Sequence, residues 1–263
     1  MNLTKYFAAA TVVGSVLAGT ALAQDAAPVE PEAAKVGAYA GTVVKNGYIS
    51  NGTLIYDDAV LQSYAGITYL GFDFNFWNSL GLDDSHYAKS DASEIDWELD
   101  YGFEVGDFDF MLGVATWTYP NTDNWDDEWV GKVAVGYNGC EYVRPELNAR
   151  FGLESQQGCY GQFKLSKGFE LEKGLALDIY GLIAYASKSW RAGKGDDDDG
   201  FADAEFGAKL TYEFCDNASI NVGCQYAVIA DGTLRDCVDS GDYWQADGDA
   251  DHFMYFAGVD VWF

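Results

Sequence analysis

The stretch Glu94-Ile95-Asp96-Trp97-Glu98-Leu99-Asp100-Tyr101-Gly102-Phe103-Glu104 decides the fold class. Ile95, Trp97, Leu99, Tyr101 and Phe103 fall on one set of alternate positions. Acidic residues and Gly102 fill the other set. A helical period would mix the two sets, whereas a strand separates them onto opposite faces. The pattern recurs. In 202–214, Ala202, Ala204, Phe206, Ala208, Leu210, Tyr212 and Phe214 alternate with Asp203, Glu205, Gly207, Lys209, Thr211 and Glu213. In 143–154, Leu147, Ala149, Phe151 and Leu153 alternate with Arg144, Glu146, Asn148 and Arg150.

Working outward from these segments predicts about twelve strands, each near the roughly ten-residue length of a tilted membrane strand. They fall near 36–49, 60–69, 72–79, 93–104, 108–119, 128–137, 142–153, 159–170, 175–188, 201–214, 219–229 and 252–263. The links between them differ in kind. Leu70-Gly71, Val105-Gly106-Asp107, Glu172-Lys173-Gly174 and Cys215-Asp216-Asn217 are tight turns, with 138–141 somewhat looser. Links 50–59, 80–92, 120–127, 189–200 and 230–251 are longer, and only the short link near 155–158 breaks the alternation. Regular short and long links are what an up-and-down antiparallel transmembrane β-barrel requires. An even strand count would place both termini on one side, the periplasmic one.

Bulk composition narrows the function classes. With 30 Gly and 16% aromatic residues but 4 Pro, the chain suits long strands. A net charge of −27 argues against nucleic acid and against a basic patch docking on anionic lipid. No segment beyond the first residues is apolar long enough for a membrane helix, so a membrane form would have to be a closed barrel. Five cysteines, Cys140, Cys159, Cys215, Cys224 and Cys237, cannot all pair within one chain and form no tight zinc spacing. A soluble β-sandwich also alternates. Here, however, the apolar face recurs with almost no charge, Lys167 being the main exception, and aromatics gather near strand ends.

Both ends of the chain point the same way. Residues 1–23 carry Lys5, an apolar stretch and the ending Ala21-Leu22-Ala23, the pattern of a cleaved secretory signal peptide. Residues 24–35 read as a flexible lead-in, and 36–263 as one barrel domain. The segment Phe253-Met254-Tyr255-Phe256-Ala257-Gly258-Val259-Asp260-Val261-Trp262-Phe263 alternates and stops on an aromatic. It resembles the closing strand of bacterial outer-membrane β-barrels. With the leader, the strands and the loop asymmetry, the whole chain is similar to small porin-type members of that class. The resemblance implies an outer-membrane location, contact with outer-membrane lipid, and reading of Tyr255, Val259, Val261 and Phe263 by the barrel-assembly machinery.

A barrel of this kind works through its inward faces. The expected lumen lining is Glu94, Asp96, Glu98, Asp100, Asp109, Lys132, Arg144, Glu146, Arg150, Lys164, Lys188, Asp203, Glu205 and Lys209. Acids concentrated on 94–104 and bases on later strands suggest an acidic wall facing a basic one. Twelve strands lie between barrels filled by side chains and barrels with open channels. The expectation is therefore a narrow passive channel for small hydrophilic solutes or ions, mildly cation-preferring. The alternative is a non-conducting structural or surface-interaction barrel, its lumen plugged by residues such as Trp77, Tyr160, Tyr180 and Phe256. Homo-oligomers fit either reading. Asp247, Asp249 and Asp251 form a loop cluster that suits hard divalent cations, without the glycine and terminal glutamate of an EF-hand. No cofactor motif is present. His86 and His252 lie at loop edges, away from any serine on a shared strand face, so no hydrolase triad is expected and the chain does not read as an enzyme.

Overall fold

The structure, a computed structural model, describes residues 36–82, 92–120, 127–153, 158–192, 198–241 and 248–263. The leader at 1–23 and the lead-in at 24–35 lie outside them. The elements in chain order are β1 (Gly37–Lys45), β2 (Tyr48–Ser50), β3 (Thr53–Tyr56), β4 (Val60–Tyr69), β5 (Phe72–Gly81), β6 (Ala92–Val105) and β7 (Phe108–Thr118). Next come β8 (Glu128–Tyr137), β9 (Arg144–Gly152), β10 (Cys159–Glu172), β11 (Leu175–Ala186) and α1 (Lys188–Ala192). The series ends with β12 (Gly200–Cys215), β13 (Ala218–Ile229), α2 (Gly232–Ser240) and β14 (Asp251–Trp262).

Twelve strands, β1 and β4 to β14, form a closed antiparallel barrel in which sequence neighbours pair. β1 closes the ring by pairing with both β4 and β14, Tyr39 lying opposite Gly66 on one side and Trp262 on the other. Closure leaves no unpaired edge, the condition for burying backbone amides in hydrocarbon. No described helix is long and apolar enough to cross a membrane.

Short turns collect at one end. Leu70 and Gly71 both take positive φ, 50° and 86°, the mirror-image turn whose twist matches a tight hairpin. Gly106 and Gly174 also take positive φ in their turns. The longer links all leave from the opposite end, called here the loop end.

Side-chain placement inverts that of a soluble protein. On β6, Trp97 is 47% exposed, whereas its neighbours Asp96 and Glu98 are buried. Phe206 is 60% exposed beside Glu205 at 1%. Ile67, Phe74, Leu99, Leu112, Leu147, Leu165, Ile179 and Val222 continue an apolar outer band around the ring. Charge faces the interior, so the sandwich alternative does not hold.

Two strands lie off the barrel wall. Residues 36–49 were expected to form one strand. β1 instead stops at Lys45, and β2 and β3 form a separate hairpin. Its turn residues Asn51 and Gly52 have φ of 50° and 73°. An Asn-Gly pair accepts this geometry, while most residues resist it. The run expected at 175–188 also ends early. Ser187 breaks the ladder by accepting the Trp190 and Arg191 amides through its carbonyl, and its hydroxyl accepts the Cys159 amide. Lys188 therefore opens α1 and is exposed, rather than standing in the barrel wall. In the link expected at 230–251, Asp231 caps α2 by accepting the Thr233 and Leu234 amides. Gly241 ends that helix with φ 80°.

Candidate functional site

The candidate site is the barrel interior, which differs between its two ends. At the loop end the β2–β3 hairpin folds inward across the bore. Tyr48 and Tyr56 pack with Val60 of β4 and Trp77 of β5. Ile49 and Leu54 pack with Ala227 of β13 and Met254 of β14. The hairpin tip reaches two further strands. Asn51 Oδ1 accepts from Arg150 Nη1 of β9 at 2.6 Å, and Gly52 lies against Asp203 of β12. A Cβ on Gly52 would stand 2.5 Å from Asp203 Cβ, so only glycine fits there. Each buried Tyr, Ile or Leu of the hairpin contributes about 1.5–3 kcal/mol of gross apolar burial.

Two helices seal the space behind the hairpin. Leu234 and Val238 of α2 join Tyr160, Ala184, Ala186, Ala202 and Ile229 in a core, with Trp190 of α1 against it. Arg191, 2% exposed, ties the helices together by pairing with Asp231 at 3.1 Å and donating to the Phe201 carbonyl. The crevice between hairpin tip and helices, lined by Asn51, Gly52, Trp190, Asp203 and Leu234, leaves no room for a water molecule.

Below the hairpin, acids and bases of the inner face are interleaved, where two opposed walls were expected. Lys132 of β8 reaches across β7 to Glu98 at 2.8 Å and Asp100 at 2.9 Å on β6. Gly113 of β7 makes this reach possible, since it offers no side chain between the two strands. Arg144 pairs with Asp109 at 2.9 Å and with Glu146. Lys164 lies opposite Glu146 in register, with its ammonium 5.6 Å from the Tyr180 ring. Lys209 lies opposite Asp178. Asp203 accepts from Tyr160 at 2.7 Å, and Glu205 accepts from Gln225 at 2.9 Å. Acids and bases are interleaved because the stagger between neighbouring strands offsets residues that one-dimensional counting places on separate walls.

Toward the turn end the lining loosens. Asp73, Asp109, Arg144, Asp178, Lys209 and Asp260 are all half-exposed. Tyr39 donates to Asp73 at 3.0 Å, and Tyr64 and Asn221 both donate to Asp260. Trp77, Tyr160, Tyr180 and Phe256 all point inward and are buried, as the alternation predicted.

Asp96 and Asp100 each keep a buried Oδ1 without a hydrogen-bond partner, and of the two only Asp100 has a lysine on its other oxygen. Asp96 is 6% exposed. In register it lies between Trp77 on β5 and Trp117 on β7, both on the inner face. The neighbouring acid Glu94 accepts from the Tyr48 hydroxyl at 2.6 Å, and the Tyr48 ring packs on Trp77 at 5.6 Å between centroids. Burial and the adjacent Glu94 carboxylate hold the Tyr48 phenol well above its ordinary pKa, so it remains a neutral donor. Arg150 sits 5.9 Å from the Trp117 ring, its guanidinium engaged by Asn51. The sequence reading missed the hairpin, which supplies Tyr48 and Asn51 to this region.

The remaining expected residues lie elsewhere. Tyr255, Val259 and Phe263 are on the outer face, and Val261 shares their alternation. Asp247 lies outside the described residues. Asp249 is exposed, and Asp251 begins β14 with Arg235 paired to it at 2.7 Å. Among the described residues no three His, Cys, Asp or Glu side chains converge as metal ligands.

No protein-family model and no curated protein matches the chain. Solved structures do match. The NanC porin is 10% identical, the alignment covering 84% of this chain and 98% of that one, with a TM-score of 0.52. An outer-membrane channel from Pseudomonas putida F1 is 11% identical over 92% of this chain and 100% of that one, with a TM-score of 0.51. The KdgM porin, solved in complex with disordered oligogalacturonate, is 11% identical over 86% and 98%, also with a TM-score of 0.51. At these identities the likeness is one of fold: a porin-like barrel.

Proposed function

We propose that the chain is a bacterial outer-membrane porin-like barrel, exported by a cleaved leader, that serves as a narrow passive channel for small hydrophilic solutes or ions. It is a conduit rather than an enzyme. Both termini face the periplasm in this reading, which puts the turn end inside and the loop end outside. The apolar outer band meets outer-membrane lipid, and the assembly machinery reads Tyr255, Val259, Val261 and Phe263. The lining comprises Glu94, Asp96, Glu98, Asp100, Asp109, Lys132, Arg144, Glu146, Arg150, Lys164, Asp203, Glu205 and Lys209.

The observation that carries this reading is the half-exposed charged face at the turn end, with Asp73, Asp109, Arg144, Asp178, Lys209 and Asp260 drawn from strands all round the ring. Their partial exposure puts these charges within reach of solvent, which supports a water-filled turn end of the bore. The acid excess favours cations. The test is planar-bilayer recording with the full mature protein. The expected result is small single-channel currents whose reversal potential in a salt gradient indicates cation preference. Asp73→Asn combined with Asp178→Asn should weaken that preference.

A second reading, a non-conducting structural barrel, is favoured by the inward hairpin that fills the loop end. It would prevail if bilayers stayed silent with the wild-type protein and with a variant lacking the hairpin.

A further inference from the structure

We propose that Glu94 and Asp96, walled by Trp77 and Trp117, form a binding site for an alkylammonium group, and that the ligand class is linear polyamines. This deepens the channel reading by naming a solute class, and it rests on that reading for its physiological meaning.

The lumen already contains a working copy of the arrangement. Lys132 is an alkylammonium whose Nζ bridges Glu98 and Asp100, two acids at i and i+2 on β6, at 2.8 and 2.9 Å. Glu94 and Asp96 repeat that i, i+2 spacing four residues toward the loop end, roughly 13 Å along the same face. No lysine bridges them, Lys132 and Arg150 acting on Asp96 only at longer range. Glu94 has a phenol as its donor, and Asp96 Oδ1 has no hydrogen-bond partner at all although the residue is 6% exposed. A buried carboxylate left in that state is costly, and a charge-assisted hydrogen bond would relieve it.

The chemistry around the pair selects among cations. The acids run along a strand instead of converging, and among the described residues no metal-sized set of ligands forms. A bare divalent ion needs several oxygens closing on one point. An elongated cation does not, and one carrying several ammoniums can occupy successive acid pairs along a row. Trp77 and Trp117 stand on either side of Asp96 in the pairing register. Indole faces attract ammonium groups and also accept a methylene chain. Arg150 supplies the nearest guanidinium but is held over Trp117 and by Asn51 of the hairpin. Tyr48 is the cover of the site: its ring lies on Trp77 and its hydroxyl occupies Glu94. An arriving ammonium takes over that position on Glu94 and forms the bond that Asp96 lacks.

The test is calorimetric titration of the full mature protein, folded in detergent, with spermidine and separately with magnesium chloride. Spermidine should bind. Asp96→Asn and Glu94→Gln, both isosteric, should each weaken binding at least tenfold with the β-sheet spectrum unchanged. If one of them fails to fold, the other still decides. Tyr48→Phe, which removes the competing donor, should tighten binding severalfold. Asp216→Asn in a short turn, which changes net charge equally, should leave binding unaltered. The proposal is overturned if spermidine does not bind, if the folded Asp96 and Glu94 variants bind as the wild type does, or if magnesium displaces spermidine as effectively as a polyamine. Binding is read without current. A protein that binds but never conducts removes the channel reading and keeps the site, and one that conducts but does not bind does the reverse.

Discussion

The two halves of the bore share one β-barrel wall and one alternation rule, yet they end in different states. At the turn end, inward charges such as Asp109 and Arg144 pair while still half-exposed, with side-chain exposures of 32% and 18%. At the loop end, inward residues meet a hairpin and two helices, and Val60, Ala227 and Ile229 are sealed. Between these halves lies the Glu98–Asp100–Lys132 group, fully enclosed by protein. The contrast teaches that a strand pattern decides only which side chains enter the lumen. Whether those side chains meet water or protein is decided by segments outside the strands.

Four perturbations probe this contrast, beginning with the largest expected effect. Replacing residues 48–56 by a short Gly-Ser link should raise single-channel conductance roughly tenfold, because a twelve-strand bore without its filler lies closer to the open barrels. Unchanged current would mean that the hairpin does not set the constriction. Lys132→Met leaves Glu98 and Asp100 buried without their cation and should destabilise the barrel by about 3–5 kcal/mol in denaturant unfolding from detergent. A loss below about 1 kcal/mol would indicate that water reaches those acids. Gly52→Val puts a branched side chain at φ 73° against Asp203. Strain of about 1–3 kcal/mol should dislodge the tip, seen as faster proteolysis within the hairpin while the barrel stays folded. Arg144→Met at the turn end should cost about 1 kcal/mol or less. Its main effect should be a reversal potential shifted further toward cations.

Much of this architecture was legible in the chain, and the exceptions have physical causes. Strands such as β4, β8 and β13 match their expected spans closely because one uniformly apolar face fixes a period of two. The inward set on β6 follows from the same rule. The hairpin was misread, although Tyr48-Ile49-Ser50 and Thr53-Leu54-Ile55-Tyr56 flank Asn51-Gly52, a strong two-residue hairpin signal. Its strands are only three and four residues long, so they read as the tail of β1 and the start of a loop. Helix α2 had its own marks, Asp231 before it and Gly241 after it. The contact of Lys132 with Glu98 and Asp100 was not legible, because it depends on the stagger across β7 and on the absence of a side chain at Gly113. Lys188 was misplaced because nothing in the alternation announces that Ser187 will turn its carbonyl to a helical amide.

The seam between β1 and β14 also constrains how the molecule can be made. Ala38 and Phe263 exchange amide–carbonyl bonds at 2.9 and 3.2 Å, joining regions far apart along the polypeptide. β1, the barrel strand synthesised earliest, finds half of its ladder only when β14 arrives. Until then two lines of bare amides must be shielded, and the entropy of bringing such distant partners together slows the final step. Interrupted translation would yield no smaller barrel, only an open sheet unfit for hydrocarbon. The seam thus acts as a completeness check on the ring, met only when its first and last strands are both present.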